Sequence, residues 1–191
     1  MSLVYKRELI RQLIHASGIL FIFLGNYLPV PYLILLSLVA MVSGELIFQI
    51  DKKYYIPFFS KILRSCRRDE KEKGFIYFFS GLTLTLAFFG FNMAIANAAI
   101  IILVLGDATS TLVGKKIGKN KLPHHLQKSW QGSFSFFMVS FIGAATQVPL
   151  APAFIGALAG AITEAYSPLD DNIAIPVVSG TAITLIIYLF F

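Results

Sequence analysis

The chain has 191 residues, of which 57% are hydrophobic and only 14% are charged, whereas an average soluble domain has about 25% charged residues. A bilayer span needs about 20 mostly apolar residues, and the apolar runs of this sequence are too long and too numerous for a water-soluble globule. Composition therefore predicts an integral membrane protein. The net charge of +6 is explained by membrane orientation and gives no indication of nucleic acid binding.

Seven apolar stretches qualify as membrane spans and predict an all-α, polytopic fold in a single transmembrane domain, residues 1–191. The apolar run after the basic N-terminal segment lacks a small-residue cleavage site, so the first span is expected to stay in the protein. In the sixth span, Gly156 and Gly160 have the GxxxG spacing that allows close helix packing. The predicted spans lie near residues 9–28, 31–49, 74–90, 92–113, 132–148, 151–167 and 173–191.

The positive charges predict the orientation of these spans. All 16 Lys and Arg residues fall within 6–11, 52–73 and 115–128, and none lies in the connections near residues 26, 90 and 149. With seven spans, the three groups lie on one face, which the positive-inside rule makes cytoplasmic. The sequence therefore predicts a cytoplasmic N-terminus and cytoplasmic loops at 51–73 and 114–131, in the cell membrane or the endoplasmic reticulum.

Three acidic residues, Glu45, Asp107 and Glu164, lie inside predicted spans, each close to the cytoplasmic end. A carboxylate costs about 2.5–3.5 kcal/mol at the centre of a bilayer and less near its edge, so its presence there indicates a partner or a ligand. The groups capable of chemistry are therefore expected at the cytoplasmic face.

The first polar cluster is "ELIRQLIH". Glu8, Arg11 and His15 are spaced i, i+3 and i+7, which places them on one face of the first helix. Glu8 and Arg11 alone fit a local ion pair at a helix start, and that interpretation stays open. His15 lies deeper in the span, where an imidazole requires a polar partner or a ligand.

The second cluster is "GDATSTLVGKKIGK", a polar stripe at the end of the fourth span followed by lysines and glycines. A carboxylate beside lysines and flexible backbone suits a metal–phosphate group, in which the acid holds Mg²⁺ and the lysines hold phosphate oxygens. A positive-inside anchor with a helix-ending glycine explains the lysines but not the aspartate. This is no Walker A loop, because GxxxxGK[ST] is absent. The cluster comprises Asp107, Ser110, Thr111, Gly114, Lys115, Lys116, Gly118 and Lys119.

The third cluster is "KSWQGS", immediately before the fifth span. Lys128, Ser129 and Gly132 fit a phosphate contact at a helix N-terminus, where the helix dipole favours anions. Neighbouring His124 and His125 are predicted to be exposed loop residues.

The fourth cluster is "LDDNIAIP", which begins the seventh span. An Asp or Asn is a common helix N-cap, and capping accounts for one of Asp170, Asp171 and Asn172. Two adjacent acids, with Glu164 at the same depth, exceed what a cap requires. A metal-binding or general-base role is therefore predicted for these acids.

The four clusters, in this order, resemble the CTP-dependent lipid kinases: dolichol kinase, phytol kinase and the CTP-using diacylglycerol kinase. "ELIRQLIH" resembles the first motif of that family. "GDATSTLVGKKIGK" resembles its Gly-Asp-x-x-(Ala/Ser)-x-x-x-Gly-(Lys/Arg)-x-x-Gly-Lys core, "KSWQGS" its Lys-(Ser/Thr)-x-Glu-Gly motif, and "LDDNIAIP" its Asp-Asn-x-(Thr)-Ile-Pro motif. The chain departs from the pattern at Gln12 in place of Lys, Gln131 in place of Glu and Ala174 in place of Thr.

The resemblance implies phosphoryl transfer from CTP to the hydroxyl of a membrane lipid alcohol, with Mg²⁺ as cofactor, at the cytoplasmic membrane face. It implies metal binding by Asp107 and Asp171, with Glu8, Arg11 and His15 as further candidate catalytic residues. The residues that it implies for nucleotide binding are Ser110, Gly114, Lys115, Lys116, Gly118, Lys119, Lys128, Ser129, Gly132 and Asn172.

Two alternatives stay open at this stage. The second and third clusters also resemble membrane CTP:phosphatidate cytidylyltransferases, although the end of this chain matches the kinases better. A transporter or packing subunit fits seven spans equally well, but it does not explain polar groups gathered at one face rather than near the midplane. The lipid alcohol (a polyprenol, phytol or geranylgeraniol, or diacylglycerol), the choice of CTP over ATP, and homo-oligomer formation are not fixed by the sequence.

Overall fold

The structure is a computed structural model that describes residue 12 and residues 15–51, 53–54, 74–123 and 125–190. Glu8, Arg11, Cys66, His124 and most of the predicted loop at 51–73 lie outside the described residues.

The described chain is mostly helical, as the sequence predicts, and each predicted span overlaps one helical rod. Three of the rods, α2, α4 and α7, are long and apolar enough to cross a membrane, and α3 and α6 are shorter apolar helices. Helix α4 contains a π-helical turn at Ile102–Gly106. The rods of the described residues are α1 Gly18–Leu24, α2 Val30–Asp51, α3 Gly74–Phe89, α4 Met93–Ile117, α5 Trp130–Ala144, α6 Leu150–Tyr166 and α7 Asp171–Phe190.

The connection between α4 and α5 corrects the all-α prediction and the predicted loop at 114–131. Helix α4 continues to Ile117, and an antiparallel hairpin follows, with β1 at Lys121–Leu122 and β2 at His125–Ser129. Leu122 is buried and anchors the hairpin to the protein. The two short strands satisfy each other's backbone hydrogen-bonding groups, which would otherwise need other partners.

Three helix starts are set by side-chain caps. Asn92 accepts a hydrogen bond from the backbone N–H of Ala94 at 3.1 Å at the start of α4. Ser129 accepts one from the N–H of Gly132 at 3.2 Å at the start of α5. Asp170 accepts one from the N–H of Asn172 at 3.0 Å, which confirms that a single residue of the fourth cluster supplies the cap.

Helix α4 lies at the centre of the bundle and contacts α3, α5, α6 and α7. Its first turns, Ile95–Val104, are buried. On α6, a Cβ at Gly160 would lie only 2.7 Å from Ser179 Oγ and 2.8 Å from Ile102 Cγ2. The absence of a side chain there allows α6 to approach α4 and α7 closely, as the GxxxG spacing predicts. This packing brings the end of α4 and of α6 to the beginning of α3, α5 and α7.

Candidate active site

A cavity of about 480 Å³ lies at this end of the bundle. Residues from all of the last three sequence clusters line it, although these clusters are far apart in the chain. The predicted site residues in its wall are Asp107, Ser110, Gly114, Lys115, Gly118, Lys128, Ser129, Gly132, Asp171 and Asn172.

The second cluster contributes one face of α4 to the cavity. Asp107, Ser110, Thr111 and Gly114 all line it, as their i, i+3, i+4, i+7 spacing requires. Asp107 and Ser110 are buried, at 8% and 5% exposure. The Ser110 hydroxyl donates a hydrogen bond to the backbone carbonyl of Asp107 at 3.2 Å.

His15 lies next to Asp107. Its Nδ1 atom is 4.0 Å from Asp107 Oδ2, and its ring packs on Phe78, with 4.7 Å between the ring centroids. His15 is buried and is not itself part of the cavity wall. The structure therefore brings His15 to the predicted site behind Asp107.

Lys128 joins three elements at the cavity. Its Nζ donates a hydrogen bond to Asp171 Oδ2 at 2.8 Å and another to the backbone carbonyl of Glu164. The same atom lies 3.8 Å from Glu164 Oε1. These contacts tie β2 to the end of α6 and the start of α7. Lys128 thereby balances the charge of two largely buried carboxylates, a role that the sequence alone did not indicate.

For Glu164, the sequence indicated a role at the site less specifically than for the other carboxylates of the cavity. Glu164 is buried, it lines the cavity, and its Oε2 accepts a hydrogen bond from Ser133 Oγ at 3.0 Å. The signal in the sequence was an acid inside an apolar span. The contacts of Ser133 and Lys128 with Glu164 depend on how α5 and α6 pack.

The glycines of the second and third clusters allow α4 and α5 to approach each other beside the cavity. A Cβ on Gly132 would lie 2.9 Å from the backbone carbonyl oxygen of Ser110, and a Cβ on Gly114 would lie 3.3 Å from Ser129 Oγ. Close packing is therefore sufficient to explain both glycines, whether or not phosphate contacts them.

The residues that line the cavity differ in several places from the expected site residues. Lys116 and Lys119 are exposed and do not line the cavity, whereas Lys121 and Gln127 of the hairpin do. Nothing in the sequence distinguished Gln127. Gln131, which stands where the resembled family has Glu, is not among the lining residues.

The donor groups fit a metal that is shared with a phosphate. Among the described residues, no group of three or more His, Cys, Asp or Glu side chains is arranged to hold a metal alone. Mg²⁺ usually takes one or two carboxylates and completes its shell with phosphate oxygens and water. Asp107 and Asp171 on one cavity, with Lys115 and Lys121 in the same wall, match that requirement.

Comparisons with known proteins find distant similarity to phytol kinases. No family model and no solved structure matches the chain. Phytol kinase 1 of Arabidopsis thaliana is 30% identical over 80 residues, which are 42% of this chain and 26% of that protein. Probable phytol kinase 2 of Oryza sativa is 24% identical over 200 residues, covering 92% of this chain and 65% of that protein.

The chain thus spans 65% or less of the length of these two kinases. The uncharacterized protein MJ1137 of Methanocaldococcus jannaschii matches at nearly full length: it is 30% identical over 179 residues, 89% of each chain. The chain is a distant homologue of the plant phytol kinases, and it belongs to the same family as this Methanocaldococcus jannaschii protein.

Proposed function

We propose that this protein is a lipid alcohol kinase that transfers the γ-phosphoryl group of CTP to the hydroxyl of a membrane isoprenoid alcohol. The observation that carries the proposal is that one cavity is lined both by Asp107, Asp171 and Glu164 and by Lys115, Lys121 and Lys128. A transporter or packing subunit has no need for a cluster of carboxylates and lysines at one end of a bundle. The phytol kinase homologues favour an isoprenoid alcohol as the phosphoryl acceptor.

In this proposal Asp107 and Asp171 hold Mg²⁺, which neutralises charge on the phosphates when it is bound. Lys115 and Lys121 attract the triphosphate into the cavity. A cavity carboxylate other than Asp170, which caps α7, accepts the proton of the lipid hydroxyl as the hydroxyl oxygen bonds to the γ-phosphorus and the bond to the β-phosphate breaks, releasing CDP. Most of the rate enhancement then comes from positioning and charge neutralisation.

We also propose that all seven predicted spans cross the bilayer, with the cavity at the cytoplasmic interface. Tyr and Trp side chains are enriched at both membrane–water interfaces, and the exposed ones in the described part of this chain lie near the helix ends. The exposed set at the cavity end is Tyr54, Tyr77, Trp130 and Tyr166, and the set at the opposite end is Tyr27, Tyr32 and Tyr188.

This orientation predicts the accessibility of single cysteines introduced into a Cys66→Ser background. In sealed cells, a membrane-impermeant thiol reagent should modify a cysteine at position 26 or 149 and leave one at position 120 unmodified. All three positions are exposed in the structure, so a difference in labelling reports the side of the membrane. Labelling at position 120 would contradict the orientation.

The transfer itself is tested with CTP labelled at either the α or the γ phosphorus. Purified protein is incubated with Mg²⁺ and with phytol, geranylgeraniol, a longer polyprenol, diacylglycerol or, as the acceptor of a cytidylyltransferase, phosphatidate. We expect γ-label, and no α-label, to enter an isoprenoid alcohol. Incorporation of the α-label would indicate a cytidylyltransferase, and incorporation of neither label into any lipid would contradict the proposed function.

A further inference from the structure

The π-helical turn of α4 ends directly at the candidate metal ligand. Residues Ile102–Gly106 form the turn, and the backbone N–H of Asp107 points to the carbonyls of Leu103 and Val104. Such turns are rare and occur frequently at functional sites. A π-helical turn accommodates one extra residue, so the helix beyond it is rotated by about 100° relative to an uninterrupted α-helix. The direction of the Asp107 side chain therefore depends on this turn.

A serine on the neighbouring helix contacts the turn. Ser140 of α5 is fully buried, and its Oγ donates a hydrogen bond to the backbone carbonyl of Ile102 at 3.3 Å, across 38 positions of sequence. The close approach depends on Gly106, because a Cβ there would collide with Ser140 Oγ and would lie 2.7 Å from the ring of Phe136.

A hydroxyl in this apolar core is unfavourable unless it is hydrogen-bonded, and the Ile102 carbonyl at the start of the turn is the group that Ser140 engages. We propose that Ser140 is a positioning residue, which holds the π-helical turn so that Asp107 faces the cavity. The inference rests on the proposed function, in which Asp107 binds Mg²⁺. It adds a residue that neither lines the cavity nor contacts substrate.

The chain offers a matched control in Ser179 of α7. Ser179 is also fully buried. It lies at the same level of the bundle as the turn, because a Cβ at Gly160 would contact both Ser179 Oγ and Ile102 Cγ2. Unlike Ser140, its hydroxyl has no hydrogen-bond partner among the described residues. Ser179→Ala therefore removes the same atom at the same depth without removing a hydrogen bond to the turn.

The test measures thermal unfolding of the purified wild type, Ser140→Ala and Ser179→Ala in detergent, with a non-hydrolysable CTP analogue and increasing Mg²⁺. We expect the apparent Mg²⁺ affinity of Ser140→Ala to fall about tenfold, the usual scale for residues that orient a metal ligand. Ser179→Ala should stay within about twofold of the wild type, because it leaves the metal ligands in place. The thiol in Ser140→Cys is a weak hydrogen-bond donor, so this variant should lose less Mg²⁺ affinity than Ser140→Ala. It takes the place of Ser140→Ala if the alanine variant does not fold.

Equal Mg²⁺ affinities for wild type, Ser140→Ala and Ser179→Ala, or equal losses for both alanine variants, would overturn the positioning role alone. If only the cysteine variant folds, equal Mg²⁺ affinities for the wild type and Ser140→Cys would overturn the positioning role. A wild type that shows no Mg²⁺- and nucleotide-dependent stabilisation would instead contradict the proposed function. The two failures are therefore distinguishable in one titration series.

Discussion

Replacing Asp107 with asparagine should lower γ-phosphoryl transfer about a thousandfold, the scale on which a single charge-stabilising group acts in catalysis, while the protein keeps its fold. Asparagine is nearly isosteric with aspartate and retains one oxygen, but it lacks the negative charge that holds Mg²⁺. Stability should change little or rise, because a carboxylate near the end of a membrane helix is costly. Thermal unfolding in detergent and γ-label transfer are measured on the same preparation.

Asp170→Asn is the matched control for this change. Asp170 also lines the cavity, but its oxygen serves as the cap of α7, and asparagine caps equally well. Transfer by Asp170→Asn should therefore stay within a few-fold of the wild type. An Asp107→Asn protein that is destabilised yet transfers phosphate at a normal rate would mean that Asp107 serves only as a structural partner.

Replacing Lys128 with methionine should destabilise the protein by about 3 kcal/mol, the scale for removing one partner of a buried ion pair. Lys128 has a side-chain exposure of 21%, against 7% for Glu164 and 28% for Asp171. Without it, two neighbouring carboxylates lose the cation that both of them contact. Adding Asp171→Asn should recover part of the lost stability, since one of the two charges is then gone.

Thermal unfolding and nucleotide binding together separate two roles for Lys128. If it only bound phosphate, Lys128→Met would weaken nucleotide binding and leave the unliganded protein as stable as the wild type. Lys116→Met is the control for the loss of a lysine, because Lys116 is exposed and away from the cavity. It should be neutral in both measurements.

Local rules were sufficient to predict much of the site. The spacing of Asp107, Ser110 and Gly114 fixes one helix face, and the acids of the fourth cluster predict a cap at the start of α7, which Asp170 supplies. Each of these inferences needs only residues within a few positions of one another. The placement of all Lys and Arg residues on one face also indicated that the acids lie at the same depth in the membrane. The structure places Asp107 and Asp171 in the wall of one cavity.

The parts that the sequence did not reveal depend on contacts between distant segments. The π-helical turn packs against Ser140, and Lys128 pairs with Glu164 and Asp171 only because β2 lies against α6 and α7. Lys115 and Lys116 were expected to act alike. Because α4 continues as a helix through both, the second points about 100° away from the first, and only Lys115 lines the cavity.

The most direct test of the account is an experimental structure of the protein with Mg²⁺ and a non-hydrolysable CTP analogue. We predict the triphosphate in the cavity between α4, α5, α6 and α7, with the metal in contact with Asp107 and the phosphates near Lys115. Nucleotide bound elsewhere, with Asp107 and Asp171 away from both metal and phosphate, would contradict the assignment of this cavity as the active site.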